Sequence, residues 1–339
     1  MANWTKEIAV PWTYYGSLYF SPIIVSAGVY TVYVIDRGTT FYSYNLTTRA
    51  WSAALASPTY VTATGSSSLG LIDRNLYPSP DGTKIACVSD ATNNHRGGKR
   101  IEIYNVSGNT WSASSQIQNM DDQTATSKAQ CIAGLAWADE DTIWCWASEA
   151  TTGVKDYIRC VKYTITTPAD TFAPGSIQNG TLTFGSPTNA AINAAGTIVY
   201  GSVIGATAGE WYKYTIGGDS YASGGTLTAG RAFAYACDND KLWYYNTTTM
   251  RQGYIATADD SENDNIYIEN VLRTANYGRY FGVSDDQKRI MALSMSSTPW
   301  VMSAWKPGVL LQGNLAIVQT RLHYVDADGD ERWMEGTEV

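Results

Sequence analysis

Short apolar and aromatic runs alternate along the chain with clusters of Asn, Asp, Gly, Ser and Thr, and no long stretch carries helical periodicity with capping signals. In IEIYN, at 101–105, Ile101 and Ile103 leave one face of an extended chain while Glu102 and Tyr104 leave the other. That period of two predicts a half-buried β-strand. The residues that follow, Ser107-Gly108-Asn109, tolerate tight-turn backbone angles, so Trp111 opens a return strand.

The hairpin recurs. FYSYNLTTRAW at 41–51 and IEIYNVSGNTW at 101–111 share a Tyr-Asn pair followed six residues later by Trp, Asn45 to Trp51 and Asn105 to Trp111. Looser copies end at Phe172, Tyr221 and Tyr254, and the most degraded at Trp300 and Trp333, which makes seven candidates. A second hairpin precedes most copies. YPSPDGTKIACVSD bends at Asp81-Gly82, while ADEDTIWCWAS, NAAGTIVYGSV and SDDQKRIMALS bend at Glu140-Asp141, Ala195-Gly196 and Asp286-Gln287.

Two hairpins in series make a unit of four antiparallel strands. Repeated four-stranded sheets leave exposed strand rims, and radial closure protects them. No linker or low-complexity tract divides the chain, so the sequence predicts one domain over 1–339. The expected fold is all-β, a single β-propeller of about seven four-stranded blades. Tyr214 and Tyr245 lie only 31 residues apart. A full blade needs about 40 residues, so GRAFAYACDNDKLWYYN supplies only part of a blade on this spacing and six blades stays an alternative.

SPDGTKIACVSD resembles the inner hairpin of WD40-type and TolB-type propeller repeats, and YNLTTRAW and YNVSGNTW resemble the outer strands of kelch-type repeats. The likeness covers most of the chain as a pattern. It departs from those families in that Gly97-Gly98, Gly217-Gly218 and Gly224-Gly225 fall in loops or turns and the Gly-His and Trp-Asp signatures are absent. The resemblance implies a ring closed by pairing N- and C-terminal strands, with residues near 4–20 meeting residues near 315–335.

Composition narrows the function. Charged residues make up 16% of the chain, against about 25% in an average soluble domain. Tyr occurs 24 times and Trp 12 times, which leaves a surface of Ser, Thr, Asn, Gly and aromatic groups. The net charge of −8, with no dense Lys/Arg cluster, argues against nucleic acid. No apolar run reaches the roughly 18 residues of a membrane span, and MANWTKEIAVPWTYYG lacks a signal-peptide layout, so neither membrane insertion nor an export signal is expected.

The five cysteines show no CxxC spacing, and Cys87, Cys145 and Cys160 sit in strand-like strings, which predicts inert apolar packing, with a disulfide in an oxidising setting as the alternative, rather than zinc. With only His95 and His323, a triad hydrolase or a three-His metal site is not expected. Arg74, Arg96, Arg231, Arg273 and Arg279 are scattered over loops, and the Ser-x-Asp-x-Gly-x-x-Trp box of sialidase repeats is missing at 79–86. No catalytic residue is assigned. Asp326, Asp328 and Asp330 offer oxygen ligands at alternate positions, the arrangement calcium takes, although a plain turn at Asp328-Gly329 accounts for them equally. DDSEND at 259–264 reads as a solvated loop.

Aromatic groups remain as candidate contacts. Trp12, Tyr14, Trp300 and Trp305, placed in loops or at blade edges, suit stacking on a glycan or anchoring a protein partner. A chain rich in Tyr, Trp, Ser, Thr, Asn and Gly, poor in Lys and without an export signal resembles virion proteins, made in a host cytoplasm and working outside cells. The expected function is therefore a non-enzymatic structural or binding propeller on a phage tail, neck or capsid. Its expected partners are proteins of the same assembly, surface glycans or further copies of itself. The competing readings are a lactonase- or glycosidase-like enzyme, with acids or calcium at the central channel, and a free lectin.

Overall fold

The computed structural model describes residues 5–6, 18–36, 40–59, 76–91, 98–114, 129–151, 154–165, 171–178, 186–204, 209–226, 232–235, 241–246, 251–259, 261–267, 281–283, 289–294, 300–305, 321–325 and 331–335. All regular structure among them is β-strand. The chain divides into two compact units, Met1–Lys306 and Pro307–Val339.

The first unit begins with β1 (Thr5–Lys6). Sheet I follows as β2 (Leu18–Phe20), β3 (Ile24–Ser26), β4 (Val29–Asp36), β5 (Thr40–Asn45) and β6 (Ala50–Trp51); β2 and β3 pair in turn with the two halves of β4 and together serve as one inner strand. Sheet II is β7 (Leu76–Pro78), β8 (Lys84–Ala91), β9 (Gly98–Asn105) and β10 (Thr110–Ala113). Sheet III is β11 (Ala129–Trp137), β12 (Thr142–Thr151), β13 (Val154–Thr164) and β14 (Thr171–Gln178), joined to sheet II by the pair Ile132↔Gly98. Sheet IV is β15 (Ser186–Ile192), β16 (Ile198–Ile204), β17 (Gly209–Thr215) and β18 (Ser220–Thr226). Sheet V is β19 (Ala232–Tyr235), β20 (Lys241–Asn246), β21 (Arg251–Ala256) and β22 (Glu262–Tyr267). Sheet VI is β23 (Phe281–Val283), β24 (Arg289–Ser294) and β25 (Trp300–Trp305), with β1 as its fourth strand.

Strands follow one another antiparallel within each sheet, as in the blades of a β-propeller. Closure comes from β1, paired to β25 through Thr5↔Ser303 and Lys6↔Met302. The N-terminal strand thus meets residues 300–305 rather than the expected 315–335, because sheet VI has only three strands of its own and takes the N-terminal one as its fourth. The second unit carries one hairpin, β26 (Arg321–Val325) with β27 (Glu331–Glu335). Among the described residues the blades of the first unit therefore number six, the lower of the two expected values.

The repeat register also changes. In sheets I to IV the recurring Tyr is on the third strand and its aromatic partner on the fourth: Tyr44↔Trp51, Tyr104↔Trp111, Tyr163↔Phe172 and Tyr214↔Tyr221. In sheet V Tyr245 lies on the second strand, and the equivalent of Tyr214 is Ile255, which packs toward sheet IV and pairs with Glu262 as Tyr214 packs toward sheet III and pairs with Tyr221. Ile255 comes 41 residues after Tyr214, a full blade, so GRAFAYACDNDKLWYYN is the first half of sheet V. The copy ending at Trp300 is displaced in the same way, since Trp300 opens the third strand of sheet VI.

Both faces of the inner sheets are buried. Ile101 and Ile103 enter a cluster with Ile143, Cys145 and Val161 of sheet III, whereas Tyr104 enters one with Ile35 and Phe41 of sheet I. Glu102, expected at a solvated face, is 0% exposed, which corrects the half-buried reading of IEIYN. On β12 the odd residues Ile143, Cys145 and Ala147 face sheet II while Trp144 and Trp146 join Val199, Tyr212 and Tyr214 of sheet IV. Ala191, Tyr200 and Trp211 then meet Leu242 and Ile255 of sheet V. A sheet covered on both sides needs apolar groups at both parities, which is why TIWCWAS reads as one continuous apolar run.

Candidate functional site

In each sheet the turns between first and second strands and between third and fourth strands fall at the same end, as sequential antiparallel order requires. The best-defined polar groups lie here. Asn45 and Asn105 end their third strands and cap the turns that follow: Thr47 and Thr48 N–H both donate to Asn45 Oδ1 at 2.9 Å, and Gly108 N–H to Asn105 Oδ1 at 3.1 Å. The last turn residue is left-handed in the copies of sheets I, II and IV: Arg49 at φ 58°, Asn109 at φ 48° and Asp219 at φ 45°. The strand Tyr secures that residue in two of them, with Tyr104 OH donating to Asn109 Oδ1 at 2.9 Å and Tyr214 OH to Asp219 Oδ1 at 2.7 Å. Burial first, then the Tyr33 hydroxyl, pushes the Tyr104 phenol up to about 12; burial and Asp219 drive Tyr214 higher still. These tyrosines are structural donors and hold their protons at neutral pH.

The first turns show the same economy. Ser79 and Asn193 are equivalent residues, accepting Gly82 N–H and Gly196 N–H respectively, each at 2.9 Å, with both glycines at positive φ. In sheet II, Asp81 takes Ser79 Oγ at 2.6 Å, Thr83 N–H at 2.9 Å and Thr83 Oγ1 at 2.7 Å. Partial burial opposes the Asp81 charge, but these donors and a side-chain hydrogen bond with Glu140 outweigh it and hold the carboxylate well below the usual range. Glu140 sits at the matching turn of sheet III. Burial, then its hydrogen bond to Asp81 and the Asp81 charge, push its carboxyl up, against the pull of Lys84. Lys84 spans the seam, its Nζ donating to the Glu140 carbonyl at 2.8 Å and standing 3.6 Å from Asp141 Oδ1.

Other seams between blades are stitched by hydrogen bonds as well. Trp111 Nε1 donates to Ala56 O at 2.7 Å and Ala56 N–H to Asn109 Oδ1 at 2.8 Å, laying the segment after β6 along sheet II. Thr59 N–H donates to buried Glu102 at 2.6 Å. Trp137 Nε1 reaches Tyr77 O at 2.9 Å, and Cys160 N–H donates to Tyr221 OH at 2.7 Å.

Of the residues singled out from sequence, Trp300 and Trp305 stand at opposite ends of strand β25 and so not in loops. Trp12, Tyr14, Asp326, Asp328, Asp330, His95 and the five loop arginines lie outside the described residues. The strands flanking 326–330 pair up to Val325↔Glu331, and His323 is the register partner of Trp333 in that hairpin. In DDSEND, Asp259 accepts Ser261 N–H at 3.0 Å but Glu262–Asp264 begin strand β22, so the string is half strand rather than wholly loop. Its residues pair because β21 offers a free edge to them, with Ile255↔Glu262 and Tyr254↔Asn263. Cys87, Cys145 and Cys160 are buried, as their strings predict, and burial drives the Cys145 and Cys160 thiols far above their ordinary range. The Asp81–Glu140–Lys84 cluster escaped the sequence reading, which took both acids as bend residues; the available signal was that both stand at the first turn of consecutive repeats.

No protein-family model matches the chain, and no curated protein matches it. Solved structures do. A chain from a mitotic checkpoint complex aligns at 10% identity over 90% of this chain and 93% of its own, with TM-score 0.51. An oligogalacturonate lyase in complex with manganese aligns at 10% identity over 82% and 74%, TM-score 0.46. A chain of a nidogen/laminin complex aligns at 11% identity over 74% and 80%, TM-score 0.45. At such identities the likeness bears on architecture alone, and that architecture is the β-propeller.

Proposed function

We propose that this chain is a non-enzymatic structural and binding propeller of a virion, seated on a tail, neck or capsid and contacting a sister protein, a surface glycan or further copies of itself. The observation that carries the reading is the use made of ionisable groups in a chain only 16% charged. In the described blades Asp81, Asp219 and Asp259 cap turns, Tyr104 and Tyr214 brace them, and Cys145 and Cys160 are sealed in the core. That is the chemistry of a rigid frame which presents Ser, Thr, Asn and aromatic surface to a partner. Protein contacts come first, with glycans as the alternative ligand for exposed Tyr and Trp. No cofactor is required; calcium is the ion suited to Asp326, Asp328 and Asp330.

The test is to tag the chain in its native host and purify particles through a density gradient. Stoichiometric co-migration with particles, located by cryo-EM, supports the proposal. A protein that stays monomeric by light scattering and never co-migrates with any assembly refutes it.

A further inference from the structure

We propose that Trp111 and Tyr221, the aromatic residues that close the repeats of blades II and IV, are seam keys. Each selects the blade that precedes it by bonding a main-chain group which strand pairing leaves over there. The two rings occupy matching places. Trp111 packs on Tyr104 of its own blade and on Phe41 of blade I, with both centroids 5.2 Å away. Tyr221 packs on Tyr214 of its own blade at 4.9 Å and on Trp146 of blade III at 6.3 Å. Each ring therefore bridges a seam and carries one polar atom into it.

The main-chain groups that those atoms meet lie outside the ladders. Ala56 follows β6 and is tied to blade I by Leu55 N–H, which donates to Phe41 O at 2.8 Å. The Ala56 carbonyl accepts Trp111 Nε1–H at 2.7 Å, and Ala56 N–H goes to Asn109 Oδ1 at 2.8 Å. The closing hairpin of blade II thus meets both polar groups of Ala56. In blade III the register of β13 on β14 runs from Arg159↔Ile177 to Val161↔Pro174 and skips Cys160. Cys160 is fully buried, where an N–H without an acceptor is costly. Tyr221 OH accepts that N–H at 2.7 Å.

Each key is matched chemically to its lock. An indole N–H only donates, and it faces a carbonyl; a phenol oxygen also accepts, and it faces an N–H. An indole in place of Tyr221 would set donor against donor at Cys160. Phe172, which closes the repeat of blade III, has no polar atom to offer. The seam between blades II and III is bridged elsewhere, by Trp137 Nε1 to Tyr77 O at 2.9 Å between innermost strands and by Lys84 Nζ to the Glu140 carbonyl at 2.8 Å between turns. The residue chosen to close a repeat thereby specifies which blade stands before it.

The test uses the full chain. Tyr221→Phe keeps the ring and removes the acceptor. Benzothienylalanine placed at 111 by cell-free synthesis keeps the shape of the Trp111 ring and removes its donor. Amide exchange, resolved residue by residue by NMR, reads each loss separately. In Tyr221→Phe the Cys160 amide should exchange about tenfold faster or more, while Trp146 and Val161 stay within about twofold of wild type. In the Trp111 replacement the Ala56 amide should exchange about threefold faster or more, although its acceptor Asn109 is untouched. Rings that act by packing alone predict neither change. Unaltered exchange at Cys160 or at Ala56, or an acceleration spread evenly over the whole blade, overturns the proposal.

Discussion

Trp146 of blade III packs flat enough on Gly201 of blade IV that a methyl group added at 201 would overlap the indole. Trp146 is fully buried and Gly201 lies mid-strand, paired with Tyr212, so neither can withdraw. Gly201→Ala should therefore destabilise the chain by about 1–3 kcal/mol through overpacking. Gly217→Ala, in open turn space, should stay within about 0.5 kcal/mol of wild type. Urea unfolding followed by tryptophan fluorescence compares the two, and equal midpoints would show that the blade III–IV contact is not as close as described.

Asn109 combines a left-handed backbone with two hydrogen bonds, from Tyr104 OH and from Ala56 N–H. Asn109→Gly keeps the backbone freedom and loses the bonds; Asn109→Ala loses both. The alanine variant should be the less stable by about 1 kcal/mol, a cost typical of forcing a Cβ into that region. Thermal unfolding of the pair measures the difference.

Thiolate is the reactive form of cysteine, and it is disfavoured where burial raises the pKa. Cys87, Cys145 and Cys160 should accordingly resist a maleimide at pH 8 in the folded chain and react fully in denaturant. Peptide mapping by mass spectrometry reads each position separately. Rapid labelling of Cys145 or Cys160 in native buffer would contradict the packing between blades II, III and IV.

Much of this architecture was legible in the chain because turn chemistry is local. Asp81-Gly82, Ala195-Gly196 and Asn105 announce their bends with residues whose side chains or backbone freedom build them. The error over Tyr245 arose because a Tyr-Asn pair ending a second strand looks the same as one ending a third; only the pairing Trp243↔Tyr254 distinguishes them. Burial of Glu102 was equally hidden, since a period of two says that a strand has two kinds of face and not what covers the polar one. The hydrogen bond from Lys84 to the Glu140 carbonyl depends on residues 56 apart in sequence meeting across a seam, which no local pattern encodes.

Ring closure by β1 on sheet VI is the claim from which blade number and the whole frame follow, and a disulfide tests it directly. Thr5 and Ser303 are antiparallel partners, and such pairs bring Cα atoms to about 4.5–5.5 Å, within disulfide reach. Thr5→Cys with Ser303→Cys should form an intramolecular link under mild oxidation, seen as a joined peptide by mass spectrometry in the monomer. Failure to link, or linking of Thr5→Cys to a cysteine placed in 321–335 instead, would contradict the account.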